Sequence, residues 1–400
     1  MPRPVRSILF VLMAALAVRL ATPILAQSPA ARVVKVAGNK HQLALRSDGT
    51  IVGWGQWLYG QLGPVSTFPA GALFADRAVA LELPGKAVDV AAGDNTSYAL
   101  LDDGSVWAWG DGRQGELGTG PNPRLAVLAN STSSMQYRGA ERPLKVAVDQ
   151  AAAISAAGHW AVAILRDGTV SQWPRRRRPD ADPSFLPVAV PKLAGVTQVS
   201  VSWTHALALT IDGHVGAWGS NDNYALGVEP KGGYVNDPVE VPGLADVAAV
   251  AAADDTSLVL KRDGTVWAWG SNGQGLFGNG QRASHPTVDT VPLPQRVPGV
   301  TNAVAISAGL GGRHVLVILK DGTLRGWGNT DWGQLGAGVS GTFQLSPVTP
   351  KLTGVKAVFA VGNYSFAVRN DGTFWGWGNG GKGQWPFAVV TKLPAAISLP

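Results

Sequence analysis

The sequence has no cysteine, only 3 methionines, and little charge, with Asp, Glu, Lys and Arg making up 15% of 400 residues. Without cysteine, a thiol nucleophile, a disulfide frame and a cysteine-ligated zinc site are all excluded. Neither a serine-triad motif nor a phosphate loop occurs. Beyond the N-terminus no run is long and apolar enough to cross a bilayer as a helix, which takes ~20 residues. The formal charge is +6, but Arg3, Arg6 and Arg19 precede residue 27 with no acid among them, leaving 6 − 3 = +3 for the remainder. A balance that small argues against a nucleic-acid partner.

The N-terminus has the layout of a secretion signal. Arg3 and Arg6 form a basic start, Ile8 to Val18 is an unbroken apolar run of 11 residues, and Ala26 stands before an expected cut ahead of Gln27. The run is too short for a stable span, so removal is expected over anchoring. The expected organisation is a signal over 1–26 and one domain over 27–400, placed outside the cell or in the periplasm.

What is abundant is glycine, at 51 residues, and tryptophan, at 15. Many glycines imply many tight turns and therefore many short strands. Seven Asp-Gly pairs organise the chain, beginning at Asp48, Asp103, Asp167, Asp212, Asp263, Asp321 and Asp371. Six residues after each stands a tryptophan: Trp54, Trp109, Trp173, Trp218, Trp269, Trp327 and Trp377. Four residues before each is Ala or Val, followed by an aliphatic residue, as in Ala44-Leu45 and Val317-Ile318. The spacing between Asp residues varies from 45 to 64, which means a constant unit with variable loops.

Asp-Gly between apolar segments is a hairpin signal, because the turn needs a positive φ that glycine supplies without steric cost. A second, Gly-rich turn follows the tryptophan, as at Gly60 to Gly63, Gly115 to Gly118 and Gly333 to Gly336. A Pro-Val segment and a short alternating run complete each unit, giving about four strands and no helix. Such a unit cannot bury both faces of its sheet alone. Radial stacking into a closed ring does so, and the expected fold is all-β: a seven-bladed β-propeller of four-stranded antiparallel blades.

Residues 37–63, AGNKHQLALRSDGTIVGWGQWLYGQLG, and 263–278, DGTVWAWGSNGQGLFG, resemble repeats of the regulator of chromosome condensation family, over about residues 33–392. The third repeat departs, with WPRRRRPD at 173–180, and so does the seventh, with GQWP at 383–386. The resemblance implies a propeller. The founding member's nucleotide exchange on a nuclear GTPase and its chromatin binding do not suit a secreted chain. Binding through the loops of one face, as in a secreted bacterial member that inhibits β-lactamases, is the nearer analogy.

The seven motif tryptophans read as inter-blade packing rather than as sugar platforms, since every repeat has one at the same strand position. His41, His205 and His314 each stand seven residues before the Asp. They fall on different blades, too far apart to share a metal, and a hydrogen-bonded structural role is expected. The motif Asp residues are turn formers, and no carboxylate pair has the surroundings of a glycosidase centre. No catalytic residue, metal or cofactor is therefore expected. Arg175, Arg176, Arg177 and Arg178 form a basic loop in the third repeat.

The variable loops all follow the same turn of their repeats, so they should emerge on one face. They carry Phe68, Phe74 and Tyr137, with Tyr234 and Phe343 in the equivalent loops of repeats four and six. Aromatics supply much of the energy of protein interfaces. The expected function is a monomeric, non-enzymatic protein-binding scaffold using these residues together with Arg175, Arg176, Arg177 and Arg178. A carbohydrate-binding or lytic envelope propeller is the alternative. The expected closure of the ring has the C-terminal segment, containing AAISL at 395–399, lying beside or in place of residues 33–38.

Overall fold

The computed structural model describes residues 31–400 except 65–66, 68–73, 76, 122–124, 129–137, 175–184, 283–289, 310, 312, 340 and 380–389. Residues 1–26, Phe68, Tyr137 and Arg175, Arg176, Arg177 and Arg178 thus lie outside the described residues. Arg32–Pro400 forms one compact unit.

The chain folds as the expected seven-bladed propeller, with each blade an antiparallel sheet of consecutive strands. In the first blade these run Val33–Gly38, His41–Arg46, Ile51–Gly55 and Val79–Leu81, from the ring axis outward. The second blade adds a two-residue strand, Ala126–Val127, outside Arg138–Lys145. The Asp-Gly turns are three-residue hairpin loops. At the first, Gly49 N–H donates to the Arg46 carbonyl at 3.0 Å with Gly49 at φ 85°, and Arg46 N–H donates to the Thr50 carbonyl at 2.9 Å. Thr50 donates from both its N–H and its hydroxyl to the Asp48 carboxylate, which holds that carboxyl below its ordinary range.

All seven motif tryptophans are buried at 1% exposure or less, as their register required. Each indole described with a partner reaches back to the preceding blade. Trp109 Nε1 donates to the Gln61 carbonyl at 2.9 Å, Trp173 to Glu116 at 3.0 Å, Trp269 to Ala225 at 3.0 Å, Trp327 to Leu276 at 2.7 Å and Trp377 to Gln334 at 2.7 Å. These carbonyls belong to the Gly-rich turn that follows the third strand. In the second and sixth blades the turn's last residue must be a glycine, because a Cβ on Gly118 would sit 2.7 Å from Trp173 and one on Gly336 2.8 Å from Trp377. The third repeat has WPRRRRPD in place of the Gly-rich sequence, and Trp218 donates to the Gln172 side-chain Oε1 at 2.9 Å. That blade's third strand, Val170–Trp173, has four residues where the other third strands have five or six, so it ends early as Pro174 foretells.

The inner strands would present a bare edge to the axis, a liability for any sheet. Side chains of the preceding blade cover it. Asp89 accepts from Ile154 N–H (3.1 Å), Ser155 from Val201 N–H (3.2 Å), Gln198 from Val250 N–H (3.1 Å), Ser200 from Ala252 N–H (2.9 Å) and Ser307 from Ala360 N–H (2.9 Å). A cavity of about 260 Å³ runs along the axis between the seven inner strands.

The expected closure needs correction. Thr391–Ala396 is the outer strand of the seventh blade, paired with Phe374–Gly378, and Val33–Gly38 alone is the inner strand of the first. Among the described residues, no strand is exchanged across the seam. Packing closes it: Trp54 meets Phe366 edge-on, ring centroids 5.6 Å apart, and Ile397 and Leu399 pack on a cluster containing both blades. The Arg46 side chain also donates to the Pro400 carbonyl. The tail therefore touches the first blade through side chains, because a fourth strand already at the rim cannot also reach the axis.

Candidate functional site

Consecutive antiparallel strands send the turns after strands one and three out of one end of every blade. That end carries the variable loops. The Asp-Gly turns and the crossovers to the next blade occupy the other. The third strands of all seven blades thus end, and the fourth strands begin, on one face, as the common position of the connections in the repeat implies.

Phe74 on this face is half-buried and bridges Gln56 through the backbone. Tyr234 opens the strand Tyr234–Glu240 opposite Ser220. Phe343 opens Phe343–Val348, with the Arg282 guanidinium 4.3 Å above its ring. The structure brings the three to one face but leaves them on blades one, four and six. Further cation-capped aromatics stand on the same face. Arg113 lies 4.9 Å over Tyr59 and Lys231 5.5 Å over Tyr224, and Trp332 is 40% exposed. Such pairs combine a large contact area with a charge.

Sequence reasoning missed the centre of this face, where the turns between first and second strands meet. The Asp94 carboxylate accepts from Trp203 Nε1 at 3.0 Å and Asn39 Nδ2 at 3.2 Å, and pairs with Lys40 Nζ at 3.1 Å. Asp94 N–H donates to the Gly158 carbonyl at 2.8 Å. A Cβ on Gly311 would lie 3.3 Å from the Trp203 ring and 3.0 Å from Asn39 Oδ1. Turns of blades one, two, three, four and six therefore converge, and the Trp203 indole lies among them. Beside it His159 Nδ1 meets the buried Glu116 carboxylate at 2.9 Å, and Asp254 pairs with Arg313 at 2.9 Å. These residues sit in turns of unlike sequence, so no repeating signal marks them.

His41, His205 and His314 take the expected hydrogen-bonded role. Each Nε2 meets the serine hydroxyl of the next blade: Ser97 at 2.8 Å, Ser257 at 2.7 Å and Ser365 at 2.8 Å. Those hydroxyls donate onward to the turn carbonyls of Gln61, Ala225 and Gln334, the same atoms that receive the tryptophan N–H. Burial holds His41 down to about 4 and His205 to about 3, from an ordinary 6.5. Both are neutral in the folded chain and charge more readily when unfolded. Their contribution is thus fully present above pH 6.5 and is lost as pH falls from there, down to about 4 for His41 and about 3 for His205. The expected slope is about 1.4 kcal/mol per pH unit for each. Melting temperature against pH will fall more steeply for the native chain than for the double variant His41→Gln/His205→Gln, and equal slopes would reject the neutral, buried state.

Comparison with known sequences and structures agrees with this architecture. Sequence models of the regulator of chromosome condensation (RCC1) repeat match residues 87–116, 196–225 and 247–276, and a second form matches 212–260 and 263–318. The protein is a propeller whose residues 87–116 and 196–318 match RCC1 repeats. It is similar to the human E3 ubiquitin-protein ligase HERC2, 27% identical over 357 residues, covering 85% of this chain and 7% of HERC2. It is also similar to the Arabidopsis thaliana ultraviolet-B receptor UVR8, 26% identical over 264 residues, covering 64% of this chain and 56% of that protein. The chain therefore spans a small fraction of the first and about half of the second. Among solved structures, Prp20p from Saccharomyces cerevisiae superposes with a TM-score of 0.70 at 21% identity, covering 92% of this chain and 87% of that one. Human WBSCR16 gives 0.71 at 19%, covering 87% and 94%. At these identities the likeness concerns the fold.

Proposed function

We propose that this chain is a secreted or periplasmic protein-binding scaffold that engages its partner with the loop face. The observation that carries the reading is that described half-exposed aromatics and cations of several blades stand together on the face from which every third strand leaves, on a rigid ring. Rigid placement lowers the entropic cost of binding, and aromatic and Arg side chains dominate interface energy. Prp20p has binding properties toward Gsp1p and histones, which supports protein binding as a use of this fold. The export signal read in residues 1–26 supports a location outside the cytoplasm.

The test is affinity capture from envelope and culture fluid with the chain lacking residues 1–26 as bait. A specific protein should be retained by the native bait and by Ile211→Asp, which changes a 74% exposed residue on the opposite face. It should be lost with the triple variant Phe74→Ala/Trp332→Ala/Phe343→Ala. Retention by the triple variant and loss with Ile211→Asp would place binding on the other face and reject the proposal.

A further inference from the structure

We propose that Asp212 is a site of spontaneous covalent modification: of the seven Asp-Gly turns, it is the one that rearranges to isoaspartate in the folded chain. The reaction takes no reagent but water. The Gly213 nitrogen attacks the Asp212 side-chain carboxyl carbon, a C–N bond forms, and the carboxyl hydroxyl leaves as water with the amide proton. Water then opens the resulting succinimide at the former backbone carbonyl. The product carries the main chain through the side chain, which adds one carbon to the hairpin joining the second and third strands of the fourth blade. Glycine favours the attack because no side chain crowds its nitrogen.

The backbone is alike at all seven turns. Each glycine has φ between 79° and 88°, and its N–H donates to the carbonyl three residues before it at 2.8–3.0 Å. The difference lies in the carboxylate. At six turns it accepts two hydrogen bonds from the second residue after it, which is Thr50, Ser105, Thr169, Thr265, Thr323 or Thr373. The N–H donates at 2.8–3.0 Å and the hydroxyl at 2.6–2.7 Å. Two donors on one oxygen fix the side-chain rotamer and hold its carbon away from the attacking nitrogen.

At the fourth turn that residue is His214, which has no hydroxyl. The Asp212 carboxylate accepts from the Thr210 hydroxyl instead. That hydroxyl has one proton and also faces the His214 carbonyl at 3.1 Å, so the two acceptors compete for it. The carboxylate is therefore the least restrained of the seven. A second feature acts on the same group. His214 Nε2 stands 3.9 Å from Asp212 Oδ2, and its Nδ1 meets Glu240 at 2.7 Å. Only a protonated carboxyl loses its hydroxyl as water, and an imidazolium beside it supplies the proton. Glu240, with Asp212, favours that charged imidazole. The Asp212 side chain is 66% exposed, so water reaches the succinimide. The site lies on the face opposite the variable loops and is independent of the protein-binding proposal.

Peptide mapping of the chain lacking residues 1–26, after prolonged incubation at neutral pH, tests it. Isomerisation shifts a peptide's retention without changing its mass, whereas deamidation at Asn272-Gly273 or Asn279-Gly280 changes the mass. Asp212 should isomerise at least about fivefold faster than each of the other six, the factor that one hydrogen bond's net worth corresponds to. His214→Thr, which restores the hydroxyl at an exposed position, should bring Asp212 down to the rate of the others. In guanidinium chloride the advantage of Asp212 should vanish, because it comes from the fold. Equal rates at all seven turns of the folded chain, an advantage that persists in denaturant, or no effect of His214→Thr overturns the proposal.

Discussion

Trp109→Ala should lower the stability of the propeller by about 3–5 kcal/mol, the usual cost of emptying a buried large aromatic site. The indole is 1% exposed and packs with Leu43, Leu62 and Val90 of the first two blades. Its N–H shares the Gln61 carbonyl with the Ser97 hydroxyl, which in turn meets His41. The substitution therefore leaves a cavity at a junction and removes one of two donors on a buried acceptor. The ring cannot collapse to fill the gap, because the neighbouring blades are fixed by their own junctions. Trp109→Phe keeps most of the volume and loses the N–H, so it should recover more than half of the loss. Circular dichroism melts of the three proteins check this. A Trp109→Ala midpoint equal to that of the native chain would show that the junction tryptophans do not hold the blades together.

Deleting residues 391–400 should be more damaging still. It strips Thr391–Ala396 from Phe374–Gly378, exposing an apolar strand edge that includes Trp375 and Trp377. It also removes Ile397 and Leu399 from the cluster that seals the seventh blade against the first. An exposed, hydrophobic strand edge is a template for intermolecular pairing. The expected result is aggregation at the temperature where the full chain is soluble, seen by light scattering. Ile397→Asp/Leu399→Asp keeps the strand and tests the seam alone, with a smaller fall in melting temperature expected. A deleted chain that stays monomeric and melts with the full one would mean that the seam needs neither strand nor tail.

Much of the architecture is legible in single residues. The fixed interval from Asp48 to Trp54, repeated to Asp371 and Trp377, determines the number of blades, the hairpin between second and third strands and the burial of every motif tryptophan. It does so because turn geometry and strand alternation are local, set within about ten residues. Pro174 likewise announces the short third strand of the third blade. That every third strand ends on the same face follows from its common position in the repeat.

Other features depend on which blades become neighbours. Nothing near Trp218 in the chain indicates that its N–H will find Gln172 rather than a turn carbonyl, 46 residues away. Trp203 and Asp94 are 109 residues apart and lie on blades that are not adjacent, so only the finished ring brings them together. The sequence also misled at the seam. AAISL has the pattern of an inner strand, yet its first two residues end an outer strand, Ile397 N–H still donates to the Phe374 carbonyl at 2.8 Å, and the Ile397 and Leu399 side chains pack at the seam, because the inner position of the first blade was already filled by Val33–Gly38. By itself the sequence determined the repeat, the blade and the inward face of each strand. The tertiary structure decided the closure, the partners across each junction and the convergence at the axis, since these are contacts between distant segments whose geometry exists only once all seven blades are in place.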